Sequence, residues 1–402
     1  MNTARQSGTN IRHRMKLRTM QLPSLGRLRA TLRLLSRRRP LPGETREHLQ
    51  AAMQWLCRAQ DATGNGGISY GYGFLEGWLP AYPETTGYAI PTFLRYASFI
   101  GEDSYVKRAL IMAEWELTVQ ATDGGFAGGH IGSDTSGPGV AFDTGQILQG
   151  LMAIYRQGGS DKFLRAAERA GNWLIERLPD EGSWHDVLPY QRQPRQRAYN
   201  ARTSWALLEL AETTKQERYL TAAQRSLAWT VRCQLPNGWF RENSFEAGRP
   251  ALTHTIAYVL EGLLESWNYL QEPCLLEATL RGAEGLRKQF DRRGALPATF
   301  TKNWESWDRY SCLAGCAQTA VVWFRLFEVT KQKRFLDAAQ RMNQYLKTVQ
   351  IPAGIDPSAE GGIPGSYPVY GAYERLRLPN WAAKFFADAL LAEARITAGN
   401  GK

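Results

Sequence analysis

The stretch FLRAAERAGNWL, residues 163–174, decides the fold. Phe163, Ala166, Ala167, Ala170, Trp173 and Leu174 fall on one face of a 3.6-residue helix and leave the charged residues on the other. The pattern recurs in the same register at Tyr219, Ala222, Ala223, Ser226, Trp229 and Thr230, and again at Phe335, Ala338, Ala339, Met342, Tyr345 and Leu346. Looser copies run through Tyr105, Ala109, Met112 and Trp115, through Leu276, Leu280, Ala283 and Leu286, and through Ala51, Ala52 and Trp55. Six copies about 57 residues apart are an internal repeat. Each closes on glycine: Gly66-Gly67, Gly124-Gly125, Gly182, Gly238, Gly294 and Gly361-Gly362.

A second, more apolar helical stretch follows each glycine, as at 143–156, 199–212, 253–268 and 379–395. Apolar residues cover most of the circumference of these stretches, so they are expected to be buried on several sides. The unit is a helical hairpin with an amphipathic outer helix and a buried inner one. Short polar links (101–104, 158–162, 213–218, 330–334) lead from inner to outer helix, and longer links rich in Gly, Pro and aromatics lead back. An open array needs polar caps at both ends. The last inner stretch, with Trp381, Phe385, Phe386, Leu390 and Leu391, is as apolar as the middle ones, so the array is expected to close. The prediction is an all-α (α/α)6 toroid over residues 44–400, preceded by a basic arm at 1–43.

Net charge is +11, but its location matters more than its size. Of the 49 Lys and Arg residues, 11 lie in 1–40, where there is no Asp or Glu, leaving 38 basic against 38 acidic residues in 41–402. The body is neutral. The arm segment RLRATLRLLSRRR (27–39) suits either attachment to an anionic membrane surface or a solvated tail; it lacks the interleaved aromatics of a nucleic-acid binder. No signal-peptide pattern and no long apolar run is present, so a cytoplasmic protein is expected; if the arm attaches to lipid instead of remaining a solvated tail, residues 1–40 are its peripheral contact at the inner membrane surface. Cys57, Cys233, Cys274, Cys312 and Cys316 read as reduced core or surface residues, and no cofactor or metal is expected.

In such a ring the six long links emerge together over the amino ends of the inner helices. They carry Tyr70, Tyr82, Trp184, Trp239, Trp304, Trp307 and Tyr367, a dense aromatic supply for segments that are normally polar. Pyranose C–H faces pack on such rings, so these residues are candidate sugar contacts, although about half of the loop aromatics are expected to plug the mouth instead. The inner-helix starts supply Glu84, Asp143, Tyr199, Arg202, His254, Asn380 and Lys384. Acids there can simply cap the helix, but capping does not call for His, Arg, Tyr and Lys at equivalent positions.

Glu84 and Asp143 begin neighbouring inner helices whose axes are expected roughly 8–10 Å apart. Their carboxyls can then stand about 6.5–9.5 Å apart, the separation that admits a water in inverting glycoside hydrolysis. Glu84, beside Tyr82 and Tyr88, reads as the drier general acid, and Asp143, after Gly137 and Gly139, as the wetter base; the opposite division is nearly as well founded. A second constellation, Tyr199, Arg202, His254 and Lys384, suits proton abstraction beside a uronate carboxylate held by Arg202. Tyr190 is a further link aromatic, His130 and His185 are link contacts of lower rank, and loop acids such as Asp123, Asp134 and Asp186 are too scattered for a calcium site.

The hairpin ring resembles the (α/α)6-toroid carbohydrate-active enzymes, which include glycoside hydrolases, polysaccharide lyases, unsaturated-uronyl hydrolases and sugar epimerases. The segments YPETTGYAIPT (82–92), YNARTSWALLEL (199–210) and LPNWAAKFFADALL (378–391) resemble proteins of bacterial surface-polysaccharide gene clusters. The resemblance implies a polysaccharide or oligosaccharide substrate. Inverting hydrolysis is the first expectation, a uronate lyase or C5-epimerase the second, and a non-catalytic glycan-binding subunit of a synthesis or export complex the third.

Overall fold

The computed structural model of the chain describes residues 41–129, 137–188, 193–354 and 356–399. Among them, six outer helices are α1 (Thr45–Asp61), α3 (Asp103–Val119), α5 (Asp161–Glu176), α7 (Glu217–Arg232), α9 (Pro273–Arg293) and α11 (Lys333–Lys347). Six inner helices alternate with them: α2 (Pro83–Ile100), α4 (Ala141–Arg156), α6 (Ala201–Thr214), α8 (Thr253–Leu270), α10 (Leu313–Thr330) and α12 (Asn380–Gly399). The four inner stretches quoted from the sequence all start within two residues of these helices.

Periodicity explains the two layers. Helix α5 buries only the stripe Phe163, Ala166, Ala167, Ala170, Gly171, Trp173 and Leu174, whereas α4 is buried without a break from Ala141 to Met152. Each inner helix packs on two inner neighbours, and α12 packs on both α2 and α1, so the ring closes as an (α/α)6 toroid. Gly101, Lys215, Gln271 and Lys331 end inner helices in the left-handed conformation, each N–H returning to the carbonyl four residues earlier. The chain thereby reverses in a few residues.

Short β-ladders staple the long links, a feature the sequence reading did not anticipate. Strand β1 (Gly71–Gly73) lies between β2 (Gly77–Trp78) and β7 (Arg377–Pro379), pairing Tyr72 with Leu378 and so joining the first link to the last. Strands β3 (Ala251–Leu252) and β4 (Thr299–Phe300) pair, as do β5 (Ser311–Cys312) and β6 (Ser366–Tyr367). The basic arm lies almost wholly outside the described residues, as do His130, Asp134 and Tyr190. No described helix is long and apolar enough to cross a membrane.

The ring is tight where it carries the candidate acids. A Cβ on Gly87 of α2 would stand 2.5 Å from the Ile147 Cα of α4, and one on Gly150 would stand 2.3 Å from the Gly87 carbonyl oxygen. Gly87→Ala must therefore push α2 and α4 apart. Thermal unfolding is expected to show a loss of about 1–3 kcal/mol; an unchanged midpoint would mean that the helices are free to slide.

Glu116 of α3 is completely buried, and neither carboxylate oxygen has a hydrogen-bond partner. Burial alone pushes its pKa far up, so it folds as the neutral acid. The folded state binds that proton more tightly than the unfolded state. Its contribution is therefore fully present below about pH 4.5 and is lost as pH rises toward the folded pKa. Glu116→Met is expected to raise stability near neutral pH by about 1–3 kcal/mol. Denaturant unfolding at pH 5 and pH 8 checks this: the gain should be larger at pH 8, and an equal or opposite difference contradicts it.

Candidate active site

Glu84 is the second residue of α2 and Asp143 the third of α4, and the Glu84 charge acts on the Asp143 carboxyl across these neighbouring amino ends. Both are buried: Glu84 keeps 8% exposure and Asp143 only 3%. The expected wetter setting for Asp143 is thus corrected, because the links fold over it as fully as over Glu84. The Tyr82 hydroxyl donates to Glu84 Oε2 at 2.6 Å, and Tyr258 of α8 also hydrogen-bonds Glu84.

The two acids share a burial but not a hydrogen-bond environment. Loss of solvent lifts the Glu84 pKa to about 7, opposed by the Tyr82 and Tyr258 hydroxyls and by the charge of Arg202. Asp143 is held well above the carboxylate range by burial, then by the charges of Glu84 and Asp186. Its Oδ1 has no partner. Asp186, one of the link acids, accepts the Ala141 N–H at Oδ1 at 3.1 Å, which fixes it against the first turn of α4. Arg197 supports that link, donating through Nη1 to the Asp186 carbonyl at 3.0 Å.

Aromatic rings wall this space. Tyr82 and Tyr70 stand 5.2 Å apart, and Tyr70 meets Trp381 edge-on at 4.7 Å. Tyr70 donates to Glu374 at 2.6 Å, and Trp381 donates to the Tyr373 hydroxyl at 2.8 Å. On the far side Phe142 lies 5.0 Å from Tyr199 and 4.8 Å from Tyr258. Tyr373 belongs to the link aromatics and Trp381 to the start of the last inner helix, whereas Tyr258 is not singled out by the sequence reading. For Tyr258 a signal existed, because it follows His254 by four residues and must share its helix face.

Other predicted contacts are distributed differently. His254 lies 4.2 Å from the Tyr258 ring and 5.6 Å from Phe385, and burial with the Arg202 charge lowers its pKa to about 3. It is a neutral imidazole at physiological pH. Arg202 pairs with Glu261 and donates to Gln146 at 2.8 Å and to Gln149 at 3.3 Å. Lys384 pairs with Asp388 at 2.9 Å, and burial lowers its pKa. Arg202 and Lys384 line a cavity of about 250 Å³ with Arg95, Arg156, Glu209 and Glu261. Arg202 is paired across helices with Glu261, and Lys384 with Asp388 one turn on in its own helix.

Asn380 donates to the Ser69 carbonyl at the seam of the ring, so it fastens the last link to the first. Trp184, Trp239 and Trp304 are buried; Trp184 donates to the Leu174 carbonyl at 2.9 Å, and Trp239 meets Trp304 edge-on at 5.4 Å. These three plug the links, because large rings seal the spaces between hairpins. Trp307 is 78% exposed and Tyr367 is half-buried.

The sequence matches no protein-family model and no curated protein. Solved structures do resemble it. An unsaturated glucuronyl hydrolase variant with the saccharide dGlcA-Glc-Rha-Glc is 15% identical, at a TM-score of 0.70 over 88% of this chain and 97% of that one. The unsaturated glucuronyl hydrolase of Bacillus sp. GL1, responsible for glycosaminoglycan degradation, is 16% identical at 0.69, over 88% and 97%. Cellobiose 2-epimerase of Spirochaeta thermophila is 16% identical at 0.69, over 93% and 98%. At such identities the likeness is one of architecture, and the chain takes the (α/α)6 toroid that these carbohydrate-active enzymes share.

Proposed function

We propose that the chain is a carbohydrate-active enzyme that hydrolyses a glycosidic bond in an acidic polysaccharide or an oligosaccharide derived from it, with inversion, using Glu84 and Asp143. The observation that carries this reading is the pair itself: two buried carboxyls on neighbouring inner-helix starts, in electrostatic contact beneath an aromatic mouth. Asp143, crowded by two acids and lacking a partner at Oδ1, keeps its proton and serves as general acid toward the leaving oxygen. Glu84, with two phenolic donors and Arg202 favouring its anion, serves as the base that activates water. That division reverses the one favoured by local sequence, for the reason that hydroxyl donors from α8 and the first link settle on Glu84 alone.

Uronate lyase or epimerase chemistry has less support. It asks Arg202 to hold a carboxylate already supplied by Glu261, and His254 to act as base although its conjugate acid is strong. The deciding experiment incubates the protein with uronate-terminated oligosaccharides, including ones bearing an unsaturated terminal uronate. New reducing ends without a new near-ultraviolet chromophore are expected. A new conjugated product, or exchange of the C5 proton with deuterium without chain shortening, overturns hydrolysis; binding without turnover favours a glycan-binding subunit.

A further inference from the structure

A groove of about 650 Å³ opens on the link face between the ends of α9 and α11, beside the start of α10. Because α10 stands opposite α4 in the ring, this groove lies across the mouth from Asp143. Its walls include Arg293, Asp308, Arg309, Tyr310, Tyr345 and Tyr367. Two exposed aromatics, Trp307 at 78% and Tyr370 at 43%, sit within three residues of that lining. Exposed rings of this size at one place on a neutral body mark a contact surface.

The groove is also positive where the body is balanced. Arg293 and Arg309 line it, and Arg375, itself exposed, is close enough for its charge to act on the Tyr310 phenol. The opposing acid is already engaged: the Asp308 carboxylate accepts the Thr299 N–H at 2.8 Å and the Thr299 hydroxyl at 2.6 Å. Arg309 enters no hydrogen bond or ion pair among the described residues, so its fork of donors is open to a carboxylate or sulfate. A chain of contacts leads from the acids toward the groove. It runs from Tyr82 through Tyr70, Trp381 and Tyr373, and Gly371 then packs so closely on Tyr310 that a Cβ there would stand 2.5 Å from the ring.

We propose that this groove binds a carboxylate- or sulfate-bearing sugar of the same glycan whose bond is presented to Glu84 and Asp143, so that an acidic residue set back from the reacting bond selects the substrate. The inference rests on the reading of the protein as a glycan enzyme, but its geometry is separate from the acid pair. Aromatic faces take the pyranose rings, and the arginines take the anion.

Calorimetric titration of the full chain with hexagalacturonate, a heparin hexasaccharide and neutral cellohexaose tests it. At least one acidic hexasaccharide is expected to bind more tightly than cellohexaose, with affinity falling as salt is raised. Arg309→Ala and Trp307→Ala are each expected to weaken that binding by about tenfold, while Arg309→Lys recovers part of the loss. Equal affinity for cellohexaose, or indifference to both substitutions, overturns the proposal. Arginine-dependent binding with no turnover of any oligosaccharide keeps the groove and removes the hydrolytic reading instead.

Discussion

Glu84→Gln and Asp143→Asn are each expected to cut turnover of a cleaved oligosaccharide by about 10²-fold or more while the protein stays folded, because each removes one half of a proton-transfer pair. The pH profile of the unaltered enzyme should be a bell. Glu84 works as the anion, so activity rises as pH increases through about 7, where that carboxyl loses its proton. Asp143 works as the acid, so activity falls at higher pH once it ionises. The two limbs belong to the coupled pair rather than to either residue alone. Full activity in both variants, with wild-type pH dependence, sinks the assignment. Comparing initial rates at pH 6, 7 and 8 and confirming the fold by circular dichroism completes the test.

Arg202→Met is expected to destabilise the protein by about 3–5 kcal/mol, since it leaves Glu261 charged and buried without its partner. The guanidinium also lies 5.4 Å from the Tyr258 ring and 5.7 Å from Phe385, so packing is lost along with charge. The paired change Arg202→Met with Glu261→Met should recover much of that loss, because an apolar pair of similar volume needs no compensation. Denaturant unfolding of the two variants measures both effects. A residue that only clamps a substrate carboxylate would behave differently, raising KM with unfolding unchanged. That result would return Arg202 to the mouth of the ring.

The toroid could be read from the sequence because its cause is local. The stripe from Phe163 to Leu174 specifies which face of an outer helix is buried, and the absence of a polar side in residues 253–268 specifies an inner one. Closure followed from Trp381, Phe385 and Phe386, which needed neighbours on both flanks. Glu84 and Asp143 could be singled out because both fall in the first turn of adjacent inner helices. What failed to show was side-chain direction governed by distant partners. Arg202 turns toward Glu261 across 59 positions of sequence, and no periodicity announces such a pair. Lys384 was different, since Asp388 four residues on was a visible partner that explains its burial. The burial of Trp184, Trp239 and Trp304 against the exposure of Trp307 was equally hidden, because link packing depends on chain reversals that composition does not encode.

Carbon NMR titration of the Asp143 carboxyl, in the unaltered protein and in Glu84→Gln, tests most directly whether the ring makes these two acids one electrostatic unit. Asp143 should titrate well above an ordinary aspartate, and removing the Glu84 charge should bring its midpoint down. An Asp143 that titrates like a solvent-exposed carboxyl and ignores the substitution would contradict the account.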